Sequence, residues 1–430
     1  MSYKAINHSI NLIKELKIAE NDLNLQLERF PFMKNGTFYK VLRDLFLPFC
    51  FKFISKLFRS KIDDQLIIMG AYSGNSYLDN TKYLFEFLNN HSNNRVVWMT
   101  KSRGLLLELK NKGFEGVYAL SLEAIKLLKK ARYIFLTHGV YDVLPIDFSP
   151  KTTIIMTWHG TVIKDITEDF DATYSYKKWV RYLRLKSYPD QYIDYVLTPA
   201  KGKYEHKILT TAFRVRSSKI LDLGYPRNDI LFDYNMEFTQ KLREKYGIPK
   251  NIKRVILYAP TFRDAGSLRF PFKKKDLEDL NTILKESESI FLFKGHAYEK
   301  KINFGELECI QLVKEPSDIQ ELIIISDLLI SDYSSVTFDF LLTMRPVILF
   351  PYDLDVYEKG RGLHYDLSEI APGPIVYDVK TLIESIKNIE KLDIEYKDIR
   401  EKIRDRFNKY HDGKSSERLL TFLNIPFDRP

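Results

Sequence analysis

Two histidines stand where a proton could be accepted near neutral pH. His159 lies within Thr157-Trp158-His159-Gly160-Thr161, and His296 ends Lys294-Gly295-His296. Each motif follows an apolar run, Thr153-Ile154-Ile155-Met156 in one case and Ile290-Phe291-Leu292-Phe293 in the other. Each histidine sits beside a glycine that lets the backbone turn. An imidazole with its ordinary pKa of roughly 6.5 can take up a proton there or donate to a phosphate oxygen. A structural histidine satisfied beneath a tight turn fits the same residues.

Two more segments offer donors instead of bases. In Ala259-Pro260-Thr261-Phe262-Arg263-Asp264, Thr261 brings a hydroxyl and Arg263 a fixed fork of N–H groups suited to phosphate oxygens. An internal Arg263–Asp264 pair is the plainer alternative. Ser331-Asp332-Tyr333-Ser334-Ser335 runs into Val336-Thr337-Phe338-Asp339-Phe340-Leu341, which reads as strand, short turn and helix start. With Ser334 or Ser335 as N-cap, the free N–H groups and the helix dipole attract an anion. Asp353-Leu354-Asp355 has the spacing of a metal-binding carboxylate pair but no obvious third ligand, so no metal is expected. None of these segments offers a nucleophile elbow.

A fifth stretch interleaves rings and cations: Tyr174, Tyr176, Lys177, Lys178, Trp179, Arg181, Tyr182, Arg184, Lys186 and Tyr188. It suits a lipid headgroup layer, a polyphosphate acceptor, single-stranded nucleic acid, or simply an exposed helix.

The elements that must carry these motifs alternate. Leu66-Ile67-Ile68-Met69, Val96-Val97-Trp98-Met99, Tyr133-Ile134-Phe135-Leu136 and Thr153-Ile154-Ile155-Met156 read as strands separated by helical patterns. The alternation restarts after residue 250 with Arg254-Val255-Ile256-Leu257-Tyr258, Ile290-Phe291-Leu292-Phe293, an ambiguous helix-to-strand passage at 323–330, and Val347-Ile348-Leu349-Phe350. Strands alternating with helices predict parallel sheets covered on both faces, with ligands at the carboxyl ends of the strands. The Gly70-Ala71-Tyr72-Ser73-Gly74-Asn75 loop is a glycine turn that lacks a dinucleotide fingerprint. Turn-rich Tyr225-Pro226-Arg227-Asn228-Asp229 separates the halves. The expected division is a helical arm at 1–60, an α/β domain at 61–230 with the basic aromatic insert at about 165–190, and a second α/β domain at 231–430.

Composition narrows the classes further. The 430 residues are 45% hydrophobic and 29% charged, which excludes a disordered or collagen-like chain. Sixty-six Lys plus Arg against 57 Asp plus Glu leave a net charge of +9, suited to phosphate-bearing substrates or anionic lipid. Two cysteines, Cys50 and Cys309, cannot form a disulfide framework or a thiolate cluster, and a reducing compartment fits them. No apolar run reaches spanning length, and Lys4, Lys14, Glu15 and Lys17 interrupt any leader-like core. Between residues 34 and 61, Phe38, Val41, Leu42, Leu45 and Phe49 share a helical face among seven basic residues. That pattern fits either an interfacial helix, kinked at Pro48, or an arm packed on the next domain.

Taken in order, these motifs have a family likeness. Trp158-His159-Gly160-Thr161, Gly224-Tyr225-Pro226-Arg227-Asn228-Asp229, Tyr258-Ala259-Pro260-Thr261-Phe262-Arg263-Asp264, Lys294-Gly295-His296 and Ser331-Asp332-Tyr333-Ser334-Ser335 resemble the CDP-glycerol glycerophosphotransferase family of teichoic-acid primases and polymerases. Tyr357-Glu358-Lys359-Gly360-Arg361-Gly362-Leu363 and Pro372-Gly373-Pro374-Ile375-Val376 are similar too, so the likeness spans about residues 65–400. The sequence departs from the pattern at Val162 and Ala297, where the family commonly has proline.

The resemblance implies an α/β, GT-B-like protein, with two Rossmann-type domains facing a central cleft and an N-terminal helical arm. It implies transfer of glycerol phosphate, or another polyol phosphate, from CDP-glycerol to a hydroxyl of a teichoic-acid-like or capsular polymer, or of its lipid-linked primer, with release of CMP. His159 and His296 would serve catalysis. Thr261, Arg263, Lys294, Ser334, Ser335 and Asp339 would serve the donor, and Arg227, Asp229 and Lys164 the acceptor side or its structure. Lys177, Lys178, Trp179, Arg181 and Arg184 would meet membrane or polymer. The implied setting is the bacterial cytoplasm, peripheral on the inner face of the cell membrane, with no cofactor and no nucleic-acid partner. Two other readings stay open on sequence: a nucleotide-sugar-dependent glycosyltransferase of the same fold, and a non-catalytic protein that binds anionic polymer or membrane.

Overall fold

The structure, a computed structural model, describes residues 47–58, 60–164, 192–261, 270–295, 307–360 and 362–429. The chain divides into two compact units. In the smaller, the described part is residues 47–58 and 145–147. Its described helix, Leu47–Ser55, contains Pro48, and the residues before it, where a kink is expected from the sequence, lie outside the described residues. Buried Ser55 ties this piece together: its hydroxyl donates to Lys52 O at 2.7 Å and accepts from Asp147 N–H at 3.2 Å. Phe53 and Leu57 stay exposed, at 64% and 65%.

The larger unit holds two parallel sheets. The first is built from β1 (Asp63–Met69), β2 (Arg95–Thr100), β3 (Gly116–Tyr118), β4 (Ala131–Leu136), β5 (Thr153–Met156), β6 (Tyr195–Leu197) and β7 (Ile220–Leu221), in the order β3-β2-β1-β4-β5-β6-β7. The second is built from β8 (Arg254–Tyr258), β9 (Ser289–Phe293), β10 (Ile310–Leu312), β11 (Leu328–Ser331) and β12 (Val347–Leu349), in the order β10-β9-β8-β11-β12. Within each sheet the first strand lies centrally and the order reverses beside it, which is the doubly wound arrangement. Every pairing between these strands is parallel. The central strands are apolar throughout because helices cover both faces: Ile67, Ile68, Phe135, Leu257, Leu292 and Leu329 are fully buried.

The ambiguous 323–330 passage resolves into helix Ile319–Ile325, capped by Asp318 accepting from Gln320 N–H at 3.0 Å, followed by β11. Strands β3, β6, β7 and β10 have only two or three residues, too short for an alternation to register in sequence.

The end of the chain returns to the first sheet. In helix Ser415–Phe422 and the residues after it, Leu419, Leu420, Leu423 and Ile425 join the core that contains Ile67, Met69, Leu84 and Trp98. Asp229 secures the start of that helix, its two carboxylate oxygens accepting from Ser415 N–H and Ser416 N–H, each at 2.8 Å. Tyr133 holds the far end through its hydroxyl, which donates to Leu423 O at 2.9 Å. An amide can accept on one side only, so Asp229→Asn should lower unfolding free energy by about 1–3 kcal/mol, the cost of a buried donor left unsatisfied. Urea unfolding followed by circular dichroism measures this. A wild-type midpoint for Asp229→Asn would refute the anchoring role.

Candidate active site

The strand ends bring the His159 loop and the seryl motif together, and Arg227 joins them. Arg227 lies in the short 3-10 helix Pro226–Leu231 and is 4% exposed. One terminal guanidinium nitrogen donates to Asp79 Oδ1 at 2.7 Å and to His159 O at 2.9 Å, and the other to Asp339 Oδ2 at 2.6 Å. Asp79 opens helix Asp79–His91 in the first half, whereas Asp339 belongs to helix Val336–Phe340 in the second. Burial pulls the Arg227 pKa down, but the Asp339 and Asp79 carboxylates outweigh it and hold the guanidinium above its ordinary range. The cation is therefore permanent.

The neighbours of Arg227 extend the junction. Its own backbone N–H donates to Asn80 Oδ1 at 3.1 Å, and the Asn80 amide donates to Trp158 O at 2.9 Å and Thr157 O at 3.2 Å. Asn228 donates to Asp339 Oδ1 at 2.9 Å and accepts from Gln320 Nε2 at 2.5 Å. Successive residues of one motif thus secure the histidine loop, the seryl helix and, through Asp229, the C-terminal helix.

His159 sits in a turn that few residues tolerate. Trp158 has φ of +58° and Gly160 φ of +151°. A Cβ at Gly160 would lie 2.2 Å from Ser335 Oγ, so only glycine allows the histidine loop to approach the seryl motif this closely. The half-buried His159 ring has its Nδ1 3.3 Å from Thr137 O. A carbonyl only accepts, so Nδ1 carries the hydrogen and Nε2 is the acceptor nitrogen. Lost hydration, then the His138 ring, then the charges of Arg227 and Lys164 hold the His159 imidazolium well below its ordinary range, against the opposing pull of the Thr137 carbonyl. His159 is neutral at neutral pH, with the tautomer a base requires.

The second half supplies the other strand ends. Asp332 ties two loops together, with Oδ1 accepting from Thr261 N–H at 2.8 Å and from Tyr333 N–H at 2.6 Å. Ser331 Oγ donates to Ala259 O at 2.8 Å. Residues 259–261 after β8 are therefore bound to the turn after β11 at the sheet's switch point. Ser335 precedes helix Val336–Phe340 without capping it by its side chain, and Ser334 Oγ lies 3.5 Å from Val336 N, so neither hydroxyl acts as a strong cap. Asp339 faces Arg227 and Asn228. Lys294 Nζ is held by Ser317 Oγ at 2.6 Å and Glu315 at 2.7 Å. Lys164 forms an antiparallel bridge with Leu363, beside which His364 N–H donates to Ile163 O at 2.7 Å. Asp353 accepts from Tyr333 Oη at 3.1 Å. His296, Arg263, Lys177, Lys178, Trp179, Arg181 and Arg184 lie outside the described residues.

Sequence reasoning passed over His138, although Thr137-His138-Gly139 follows β4 as the other motifs follow their strands. Asp79, Asn80 and Asp142 left no such signal. Asp79 is an acid on a helix surface pattern until the fold brings Arg227 to it from 148 residues away.

The family model described as CDP-Glycerol:Poly(glycerophosphate) glycerophosphotransferase matches residues 51–424. A teichoic acid glycerol-phosphate transferase of Staphylococcus aureus (strain NCTC 8325 / PS 47) is 33% identical over 393 residues, covering 86% of this chain and 94% of that protein. The teichoic acid poly(glycerol phosphate) polymerase of Bacillus subtilis (strain 168) is 30% identical over 422 residues, 94% of this chain but 54% of the polymerase, so the chain spans about half its length. The solved structure of the wall teichoic acid polymerase TagF superposes with a TM-score of 0.74 at 27% identity, covering 91% of this chain and 98% of that one. Of the three readings left open by sequence, these findings select the first: the chain belongs to the CDP-glycerol:poly(glycerophosphate) glycerophosphotransferase family and is a CDP-glycerol glycerophosphotransferase of the GT-B fold.

Proposed function

We propose that His159 is the general base of this transfer. The acceptor hydroxyl gives its proton to His159 Nε2 while its oxygen bonds to the β-phosphorus of CDP-glycerol. The bond from that phosphorus to the bridging oxygen breaks, and CMP leaves with the bridging oxygen. Glycerol phosphate ends on the acceptor, a hydroxyl of a teichoic-acid-like or capsular polymer or of a lipid-linked primer. The observation that carries this reading is the approach of Gly160 to Ser335, which brings the loop bearing a neutral imidazole of fixed tautomer against the seryl turn of the donor half.

Negative oxygens crowd the reacting phosphorus, so most of the barrier is charge and positioning. Thr261, Ser334 and Ser335 offer their hydroxyls or N–H groups at the second sheet's switch point, where nucleotides bind in such folds. Arg263, Lys294 and His296 are assigned to the diphosphate with them. Asp339 serves by fixing Arg227, and Arg227, Asp229 and Lys164 brace the acceptor side.

The setting is the inner face of the cell membrane. Exposed Phe53 and Leu57, with Lys52 and Lys56 alongside, support contact of the first unit with anionic lipid. Lys177, Lys178, Trp179, Arg181 and Arg184 are assigned to the same surface or to the polymer. Among the described residues no helix is long and apolar enough to cross a membrane.

Three outcomes follow. Release of CMP from CDP-glycerol with a glycerol-phosphate acceptor should fall by roughly 10² to 10⁴ in His159→Ala, the usual worth of a positioned base. Wild-type turnover in that variant, with CMP release intact, would remove the assignment. Because the base works unprotonated and its pKa is depressed, kcat/KM should hold through pH 6.5 and be lost only as pH falls through a lower midpoint. An acid limb centred above 6.5 contradicts this. Replacing Phe53 and Leu57 together with aspartate should weaken sedimentation with anionic phosphatidylglycerol vesicles about tenfold, the effect of two lost apolar anchors. Unchanged sedimentation would take the membrane contact away from this helix.

A further inference from the structure

Two imidazoles, not one, occupy the acceptor-side strand ends. His138 follows β4, which neighbours the central strand β1 at the first sheet's switch point. Its ring stacks on His159 with centroids 4.0 Å apart and planes 4° from parallel. Trp158 covers the other side of His159 at 3.8 Å, and Tyr72 the other side of His138 at 4.3 Å. The two histidines form the middle of a row of four rings.

The hydrogen bonds around the row converge on Thr137. Its hydroxyl lies 3.0 Å from Asp142 Oδ2, 2.8 Å from His138 Nδ1 and 3.3 Å from Tyr72 N. The Asp142 carboxylate only accepts, and it already takes N–H bonds from Thr137 and His138 on Oδ2 and from Ser73 on Oδ1, each at 2.7 Å. The single Thr137 hydroxyl hydrogen therefore goes to Asp142, and the hydroxyl oxygen accepts from His138 Nδ1–H. The Thr137 carbonyl accepts from His159 Nδ1–H. One threonine orients both rings, through its side chain for His138 and its backbone for His159, and leaves each Nε2 as the acceptor nitrogen.

Thr137 and Asp142 are fully buried, so this support is rigid and shielded from water. Gly70 at the end of β1 completes it: a Cβ there would meet Asp142 O at 2.4 Å. The glycine turn after the first strand thus serves to bring Asp142 close, in place of a nucleotide phosphate.

We propose that His138 is a positioning residue for His159: its ring, fixed by Thr137 and stacked on His159, covers the reacting imidazole and keeps it aimed. This deepens the reading of His159 as base and rests on it. The His138 ring 4.0 Å away shields one face of His159 from water and opposes its protonation. The other charges acting on His159 come from elsewhere in the fold. Arg227, whose guanidinium bonds His159 O, and Lys164 both oppose protonation, while the Thr137 carbonyl favours it. On the His138 side stand Tyr72, whose hydroxyl donates to Asp79 at 3.2 Å, and Asp142 acting through Thr137.

The test uses the full chain and two independent readouts. Histidine ring signals are followed by nuclear magnetic resonance against pH, and the His159 signal among the eight histidines is identified by its loss in His159→Gln. In His138→Gln the His159 midpoint should rise by about one pH unit, with removal of the covering ring. In His138→Phe, which keeps a ring on the stack, the rise should be smaller. Thr137→Val, which keeps the carbonyl to His159 but frees the His138 ring, should shift the His138 signal first. The acid limb of kcat/KM should move up with the His159 midpoint, with the KM for CDP-glycerol within about twofold of wild type. A His159 midpoint unchanged in both His138 variants overturns the proposal, because a merely structural ring would leave it there. A midpoint that moves while the acid limb stays put upholds the pair and instead removes His159 as the base.

Discussion

Two carboxylates from different halves of the molecule share one buried guanidinium, and the site depends on that arrangement. Arg227 is out of water, so its interactions with Asp79 and Asp339 are not screened as exposed ion pairs are. Removing one partner of such a buried pair typically costs about 3–5 kcal/mol, because the other is left uncompensated. The same side chain holds the His159 carbonyl. A single cation therefore sets the histidine loop of one sheet against the seryl helix of the other. The salt bridges on the outside, such as Lys241–Glu237 with both side chains mostly exposed, do no comparable work.

Around that cation, backbone geometry does what side chains cannot. The histidine loop can lie against Ser335 because Gly160 has no Cβ, and Trp158 accepts a left-handed conformation to aim the loop. Strain of this kind persists only where surrounding contacts over-determine it. Here Asn80 takes both Thr157 O and Trp158 O, and the Tyr225 hydroxyl donates to Gly160 O at 3.2 Å. The loop is held at every carbonyl from Thr157 to Gly160. In the other half, Asp332 performs the equivalent task for Thr261 and Tyr333. A transfer whose barrier is positioning and charge benefits from two turns held in this way.

Much of this was legible before any coordinates. The apolar runs ending at Met69, Met156, Tyr258 and Phe293 are strands whose ends carry chemistry, because a buried parallel strand needs an uninterrupted apolar run and its carboxyl end faces the ligand crevice. His159 announced itself by residue type and by the glycine beside it, whereas Arg227 stood in a turn-rich stretch and was marked only by the family likeness. His138 carried the same mark as His159 and was passed over, since a threonine, a histidine and a glycine after a strand look like an ordinary turn. The short strands β3, β6, β7 and β10 gave no signal, because two or three residues complete no alternation.

Local order was written into the chain itself: the strand-loop-helix alternation, the turn residues, and the placing of imidazoles, hydroxyls and cations after strands follow from periodicity and side-chain chemistry. Partnership was not. Asp79 and Asp339 are indistinguishable in sequence from any helix carboxylate, and only the fold, by burying Arg227 between them, makes them a matched pair. The tautomers of His138 and His159 likewise depend on one buried threonine that no spacing rule connects to both. Hydrogen bonds and charge pairs gain their strength from exclusion of water, and exclusion of water is a property of the tertiary structure alone.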